Sequence, residues 1–178
     1  MKKLLLHVCC APCSSGVLEE LKNEFDVTVY FYNPNIDTFE EYKRRENEVH
    51  KYMKILNIPY IIEKYKPHEY YKAIKGFENE PEGGVRCVEC FRLRLNKTFK
   101  YAKKHKFDIV STTLSVSPYK NVDILNSLGV SLSLKHKIPY LTRDFKKNDG
   151  YLKSIQNSKK YDLYRQEYCG CKYSKTHN

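Results

Sequence analysis

Lys3-Leu4-Leu5-Leu6-His7-Val8-Cys9-Cys10-Ala11-Pro12-Cys13 opens the chain with a short apolar run that ends on a cysteine cluster. The run reads as a β-strand, Ala11-Pro12 breaks it, and Val17, Leu18 and Leu21 then recur at helical spacing. The unit is strand, loop, helix, with three thiols at the carboxyl end of the strand. Residues 27–32 read as a second strand closed by Asn33-Pro34-Asn35. Residues 40–57 read as a helix with Tyr42, Val49, Tyr52, Met53 and Leu56 inward, and Pro59 ends it.

Residues 60–63 supply a third strand, and Pro67 opens a short helix that stops near Gly76. After the Pro81-Glu82-Gly83-Gly84 loop, Cys87 and Cys90 fall at or just before a helix running to about His105, with Val88, Phe91, Leu95, Phe99 and Ala102 inward. Strands at 108–112 and 139–141 and helices at 121–137 and 148–159 complete the pattern. Such alternation predicts a single α/β domain over residues 1–178, with a mainly parallel sheet and helices on both faces. Ligands in such sheets bind beyond the carboxyl ends of the strands, where Cys9, Cys10 and Cys13 lie. Residues 161–178 form a cysteine-bearing C-terminal segment, whose last six residues are polar enough to fray.

With 178 residues the chain can bury one core and is too short for two comfortable domains. It has no apolar run near the roughly 20 residues that span a bilayer, and Leu4 to Leu6 is too short for a secretory signal, so a cytoplasmic location without membrane attachment is expected. The net charge of +11 suits a polyanionic partner, with nucleic acid as the natural candidate, although a merely basic soluble surface gives the same number.

Seven cysteines in an intracellular chain read as ligands or redox groups, since cytosolic thiols stay reduced. They form three tight groups: Cys9-Cys10-x-x-Cys13, Cys87-x-x-Cys90 and Cys169-Gly170-Cys171. Four thiolates suit structural zinc or a [4Fe–4S] cluster. Zinc ribbons commonly pair two C-x-x-C knuckles. Here the Cys87-x-x-Cys90 knuckle faces an adjacent pair, Cys9-Cys10, far away in sequence, which fits a centre with several metal corners more easily. Taking Cys9, Cys10, Cys87 and Cys90 as the four ligands leaves Cys13 and the terminal pair. A disulfide across Cys169-Gly170-Cys171 closes a very short loop and should be easily reduced, so this pair can relay two electrons. Cys13 has two readings, a ligand to a second metal or an inert thiol capping the following helix.

Other polar residues are less specific. His7 reads as a core histidine. Arg92, Arg94, Lys97, Lys100, Lys103 and Lys104 share a helix and read first as a solvated face, with phosphate binding as the alternative for part of it. The tyrosines, 16 in all, offer stacking surfaces for an unstacked base. Neither G-x-x-x-x-G-K-[ST] nor G-x-G-x-x-G occurs, so no nucleotide-cofactor motif is present.

Beyond these readings, the sequence resembles the epoxyqueuosine reductase QueH family nearly end to end. The likeness is carried by His7-Val8-Cys9-Cys10-Ala11-Pro12-Cys13, Phe31-Tyr32-Asn33-Pro34-Asn35-Ile36, Glu41-Tyr42 with Arg45, and Arg86-Cys87-x-x-Cys90-Phe91-x-Leu93-Arg94-Leu95. It continues through Thr112-Thr113-Leu114-x-x-Ser117-Pro118-Tyr119-Lys120-Asn121, Asp144-Phe145-Lys146-Lys147 and Leu163-Tyr164-Arg165-Gln166-x-Tyr168-Cys169-Gly170-Cys171.

The resemblance implies an adenine-nucleotide α-hydrolase-like (HUP) fold and reduction of epoxyqueuosine to queuosine in tRNA, the last step in making this wobble-position base. It further implies that Cys9, Cys10, Cys87 and Cys90 hold a [4Fe–4S] cluster, that Cys169 and Cys171 form a redox-active disulfide, and that electrons come from an external donor. A second, mononuclear iron beside the cluster is implied too, acting as a Lewis acid on the epoxide oxygen, with Cys13 the candidate ligand. The segments 112–121 and 144–147 follow strands on the cysteine side. Ser117, Tyr119, Lys120, Asn121 and Lys147 are therefore candidates for binding the modified base and its phosphates, against a plain loop reading.

Two other functions compete. A zinc-stabilised RNA-binding module explains charge and cysteines but leaves Cys169-Gly170-Cys171 without a role. A tRNA thiolase fits the fold type, but the nucleotide-binding loop it would need is missing from the sequence.

Overall fold

The computed structural model describes residues 1–177, with side chains through residue 175. Four parallel strands, β1 (Lys3–Val8), β2 (Asp26–Phe31), β3 (Tyr60–Ile62) and β4 (Ile109–Thr112), form one sheet in the order β3-β2-β1-β4. β1 is central: Leu4 pairs with Val27 on one side and Ile109 on the other, and the ladders run to Val8–Phe31 and His7–Thr112. A strand buried on both faces must be apolar throughout, which is why Leu4, Leu5, Leu6 and Val8 have no exposed surface. Each such side chain contributes about 1.5–3 kcal/mol of burial.

Side-chain alternation along β1 divides the core in two. Leu4, Leu6 and Val8 meet α1 (Ala11–Leu21) and α2 (Phe39–Leu56) through Val17, Leu18, Leu21, Val49, Tyr52 and Met53. Leu5 faces the opposite layer, where α4 (Val85–Lys104) and α5 (Val122–His136) contribute Phe91, Leu95, Phe99, Leu125 and Leu128. The short α3 (Pro67–Ala73) rests on α4, and α6 (Gly150–Lys160) covers α1. Helices therefore lie on both faces of a parallel sheet, as expected.

Three expectations are corrected. The strand at 139–141 is only a bridge between Val110 and Tyr140, framed by Val110 N to Pro139 O (3.0 Å) and Leu141 N to Val110 O (2.9 Å). Proline has no N–H with which to extend the ladder. The last helix begins at Gly150, not 148, because Asn148 and Asp149 both adopt left-handed φ. A Cβ on Gly150 would lie 1.8 Å from the Phe145 carbonyl oxygen, so only glycine fits there.

The tail, expected to fray, instead forms a 3-10 turn over Lys172–His177. Its buried Ser174 hydroxyl accepts from Gly170 N (3.3 Å) and donates to Cys171 O (2.7 Å). Asn178 lies outside the described residues.

Candidate active site

The strand order reverses its winding at β1, so the crevice beyond the carboxyl ends of β1 and β4 is the topological switch point of the sheet. Cys9 is the first residue past β1 and its Sγ lies 3.8 Å from Thr113 Oγ1, just past β4. Cys10 is the N-cap of α1, its sulfur accepting from Cys13 N at 3.3 Å, and Pro12 occupies the first turn, where its missing N–H costs nothing. The proline that interrupts the apolar run in sequence thus helps start the helix. This corner folds Cys9, Cys10 and Cys13 inward with all three Sγ atoms within 4.8 Å of one another.

The three thiols ionise unequally. Cys9 is held well below the ordinary thiol range because Cys10 and Cys13 hydrogen-bond to its sulfur, with Lys120 and Arg94 adding to the effect against its burial. Burial pushes Cys10 up to about 12, and Cys13 is raised by its hydrogen bonds to Cys10 and Cys9. Soft sulfur donors in this spacing fit a metal ion, whose binding would release the thiol protons.

Cys87 and Cys90 lie inside the first two turns of α4, which starts at Val85 with Gly84 as N-cap. The Gly83 amide donates to Cys87 Sγ at 3.3 Å. Burial nevertheless raises both thiols, Cys90 to about 12, so the helix N-terminus does not dominate their ionisation. Cys90 and Cys171 pack in one buried cluster with Tyr70 and Ile74, and Cys90 feels the charges of both Cys169 and Cys171. The described residues thus give a compact Cys9–Cys10–Cys13 trio and, separately, a wall where the C-x-x-C of α4 meets the terminal pair. Cys169 and Cys171 are both free thiols, the first half-buried and the second buried.

The terminal segment is held by contacts from far up the chain. Arg45, buried on α2, pairs with Glu41 (2.7 Å) and donates to Cys169 O (2.8 Å) and Tyr168 O (3.1 Å). Asp37 N donates to Gly170 O at 2.7 Å. Gly170 has φ +145°, and a Cβ there would lie 3.1 Å from Arg45 Nη1 and 3.2 Å from Asn35 Nδ2. Glycine at the centre of the C-x-C is therefore a matter of both conformation and space.

Of the candidate substrate residues, Lys120 is half-buried and turned toward sulfur. Burial opposes its charge, but Cys169, Cys9 and Cys13 outweigh this and hold its ammonium above the ordinary range. Tyr119 is 89% exposed, and its amide donates to Ser117 Oγ at 3.3 Å. Asn121 caps α5, its Oδ1 accepting from Asp123 N (2.9 Å) and Ile124 N (3.2 Å). Lys147 is exposed in the 3-10 turn Lys147–Asp149.

His7 is the core histidine expected. Its Nε2 is 3.0 Å from Tyr32 O, which can only accept, so Nε2 carries the proton and Nδ1 accepts from Thr112 Oγ1 at 3.0 Å. Burial lowers its pKa to about 4, and it stays neutral. Arg94 departs from the reading of its helix as a solvated face. It is 1% exposed, inside the site and not on a phosphate-binding surface. Arg45 had no role assigned from the sequence, and Arg94 had only that of its helix's basic face. The signal available was their position, i+3 from Tyr42 and i+3 from Phe91, on the inward faces of their helices.

Comparison with known proteins gives one consistent result. The family described as epoxyqueuosine reductase QueH matches residues 4–177. The epoxyqueuosine reductase QueH of Streptococcus pyogenes serotype M1 is 42% identical over 96% of this chain and 69% of its own length. That of Thermotoga maritima is 33% identical over 98% and 91%. Among solved structures, the U34-tRNA thiolase NcsA from Methanococcus maripaludis, described with its [4Fe-4S] cluster, superposes with a TM-score of 0.60 at 15% identity. That match covers 97% of this chain and 61% of NcsA. A predicted tRNA methyltransferase subunit from Methanocaldococcus jannaschii gives 0.58 at 15% identity, covering 89% and 75%. At this identity the two structures share the fold alone.

Proposed function

The chain belongs to the epoxyqueuosine reductase QueH family, and from that premise we propose that the cysteine-lined crevice beyond β1 removes the epoxide oxygen of epoxyqueuosine in tRNA. The observation that carries this reading is the convergence of Cys9, Cys10 and Cys13 within 4.8 Å at the switch point of the sheet. The overall reaction takes two electrons and two protons. Both epoxide C–O bonds break, a carbon–carbon double bond forms, and the oxygen leaves as water.

Cys9, Cys10, Cys87 and Cys90 are the proposed ligands of a [4Fe–4S] cluster, and Cys13 is the proposed ligand of a second iron. Bound there, the metal would supply one-electron transfer and Lewis-acid polarisation of the epoxide oxygen. The donor set supports this, since the trio offers three soft sulfurs within 4.8 Å of one another. Cys169 and Cys171 supply the electron pair: two thiols become a disulfide, yielding two electrons and two protons, and an external donor restores them. Their approach to Cys90 supports that assignment.

The whole chain acts as one catalytic domain, with 161–178 bringing the redox pair to the crevice. A cytoplasmic location follows from the tRNA substrate and fits the lack, among the described residues, of any helix long and apolar enough to cross a membrane. The exposure of Tyr119 and Lys147 supports a role for the first in stacking on a base and for the second in meeting a phosphate. Lys120 faces the sulfurs and is better suited to the reacting end of the base. Ser117 and Asn121 shape the loop between them, through the Tyr119 amide and the α5 cap.

Anaerobic purification with iron and sulfide analysis, followed by assay on an epoxyqueuosine-containing anticodon stem-loop, tests the reading. Brown protein that converts the base to queuosine supports it. Colourless zinc protein from iron-replete cells, inactive on that RNA, would overturn it.

A further inference from the structure

Three arginines are buried in this protein, and they differ in what balances their charge. Arg45 has Glu41, and Arg86 donates to the carbonyls of Glu78 and Glu80 and lies over the Tyr173 ring. Arg94 makes no ion pair with a carboxylate among the described residues. Its Nε is 3.4 Å from Cys90 O, its Nη1 donates to Asn33 Oδ1 at 3.3 Å, and its Nη2 has no hydrogen-bond partner among the described residues. A guanidinium cannot shed its proton, so a buried one needs a counter-charge. In place of a carboxylate, Arg94 is set between two cysteine groups: it reaches the Cys90 carbonyl directly and, through Asn33, the Val8 carbonyl next to Cys9.

The orientation is fixed as well as the burial. Asn33 donates from Nδ2 to Val8 O at 2.9 Å, which turns its Oδ1 toward Arg94. The strand end that precedes Cys9, the loop after β2 and the helix that carries Cys90 are thereby tied through one guanidinium. Thr98 Oγ1 returns to Arg94 O at 2.8 Å, one turn further along α4.

We propose that Arg94 is a positioning residue that serves as the fixed counter-cation of the sulfur centre, making it easier to reduce. The inference rests on the metal-binding reading under Proposed function. It extends that reading by naming a residue that is not a ligand yet sets the potential at which the centre accepts an electron. A cation held at the sulfurs stabilises the more negative, reduced form, while the unpartnered Nη2 leaves a donor free for a sulfur or the substrate oxygen.

The test is a redox titration of anaerobically reconstituted wild type, Arg94→Lys, Arg94→Gln and Asn33→Asp proteins, followed by visible absorption, with circular dichroism to check folding. Arg94→Gln is expected to disfavour reduction at least tenfold, a shift of about 59 mV to more negative potential for a one-electron couple. Arg94→Lys, which keeps the charge, should recover most of that shift. Asn33→Asp keeps the side-chain size but sets a carboxylate against Arg94, and should move the potential in the same direction as Arg94→Gln, so the proposal stays testable if Arg94→Gln does not fold. Potentials within experimental error of wild type in Arg94→Gln or, where that protein does not fold, in Asn33→Asp would overturn the proposal while leaving the family reading intact. A wild-type protein with no reducible iron–sulfur absorption would instead overturn the metal reading, and this inference with it.

Discussion

The two ends of the chain bring cysteines to the same crevice by opposite means. At the β1–α1 corner, five consecutive residues suffice: Cys9 lies just past the strand, Cys10 caps the helix and Cys13 sits within its first turn. The geometry is therefore local, and the hydrogen bond from Cys13 N to Cys10 Sγ closes it. The Cys169–Cys171 segment has no regular structure of its own and is held by Arg45, 124 positions earlier, and by the Asp37 amide. Chemistry built from neighbours is anchored in secondary structure, whereas chemistry delivered from a distance depends on a few buried polar contacts.

That contrast can be broken most severely at the trio. Cys10→Ala removes a sulfur and the helix cap together. It should lower metal affinity by at least the roughly 100-fold that even an outer-shell loss can cost, read by competition with a chromophoric chelator. Unaltered affinity would show that the trio is not the binding set. Arg45→Met leaves the half-buried Glu41 without its cation, with only the Tyr164 hydroxyl donating to it, a cost of about 3 kcal/mol concentrated at the far end. Hydrogen exchange should rise over residues 163–175 and stay unchanged across β1 and α1; uniform loss would mean the two regions are not separable. Adding Glu41→Gln should restore part of the stability.

A smaller effect is expected at Gly170. Gly170→Ala forces a side chain into positive φ against Arg45 and Asn35, costing about 1–3 kcal/mol. It should slow disulfide formation between Cys169 and Cys171 without changing metal content. Smallest of all, Asn121→Ala should cost about 1 kcal/mol through its cap, seen as a lower Tm with tRNA affinity at a given salt unchanged. Lys147→Gln should instead flatten the salt dependence of tRNA binding by a slope of about 0.7–0.9, one phosphate contact. Reversal of those two results would exchange the roles assigned to cap and phosphate contact.

Legibility in the sequence follows the same division. β1 was readable because a strand buried on both faces is a continuous apolar run, and α4 because its inward stripe recurs at helical spacing. The trio was visible as a cluster because its spacing is its geometry. The bridge at Val110–Tyr140 was overread as a strand, since three residues led by proline carry β-type side chains without the N–H a ladder requires. The start of α6 depends on a contact between Gly150 and the Phe145 carbonyl, which no periodicity reports.

Arg94 was hidden for a different reason: its place three residues after Phe91 puts it on the inward stripe of α4, but the lysines and arginines that follow Cys90 read together as one solvated face. The order in the tail was equally invisible, because Ser174 is polar and its partners, Gly170 and Cys171, matter only once that segment is docked.

The clamp between Arg45 and the Cys169 carbonyl also sets an order of events during synthesis. Translation proceeds at about 5–20 residues per second, so the 58 residues between Thr112, which completes the sheet, and Gly170 take roughly 3–12 s to emerge. During that interval Glu41, four positions away in the chain, is the partner that Arg45 has within reach. Cys9, Cys10 and Cys13 thus emerge long before Cys169 and Cys171, and the wall beside Cys90 is completed only when the later segment docks.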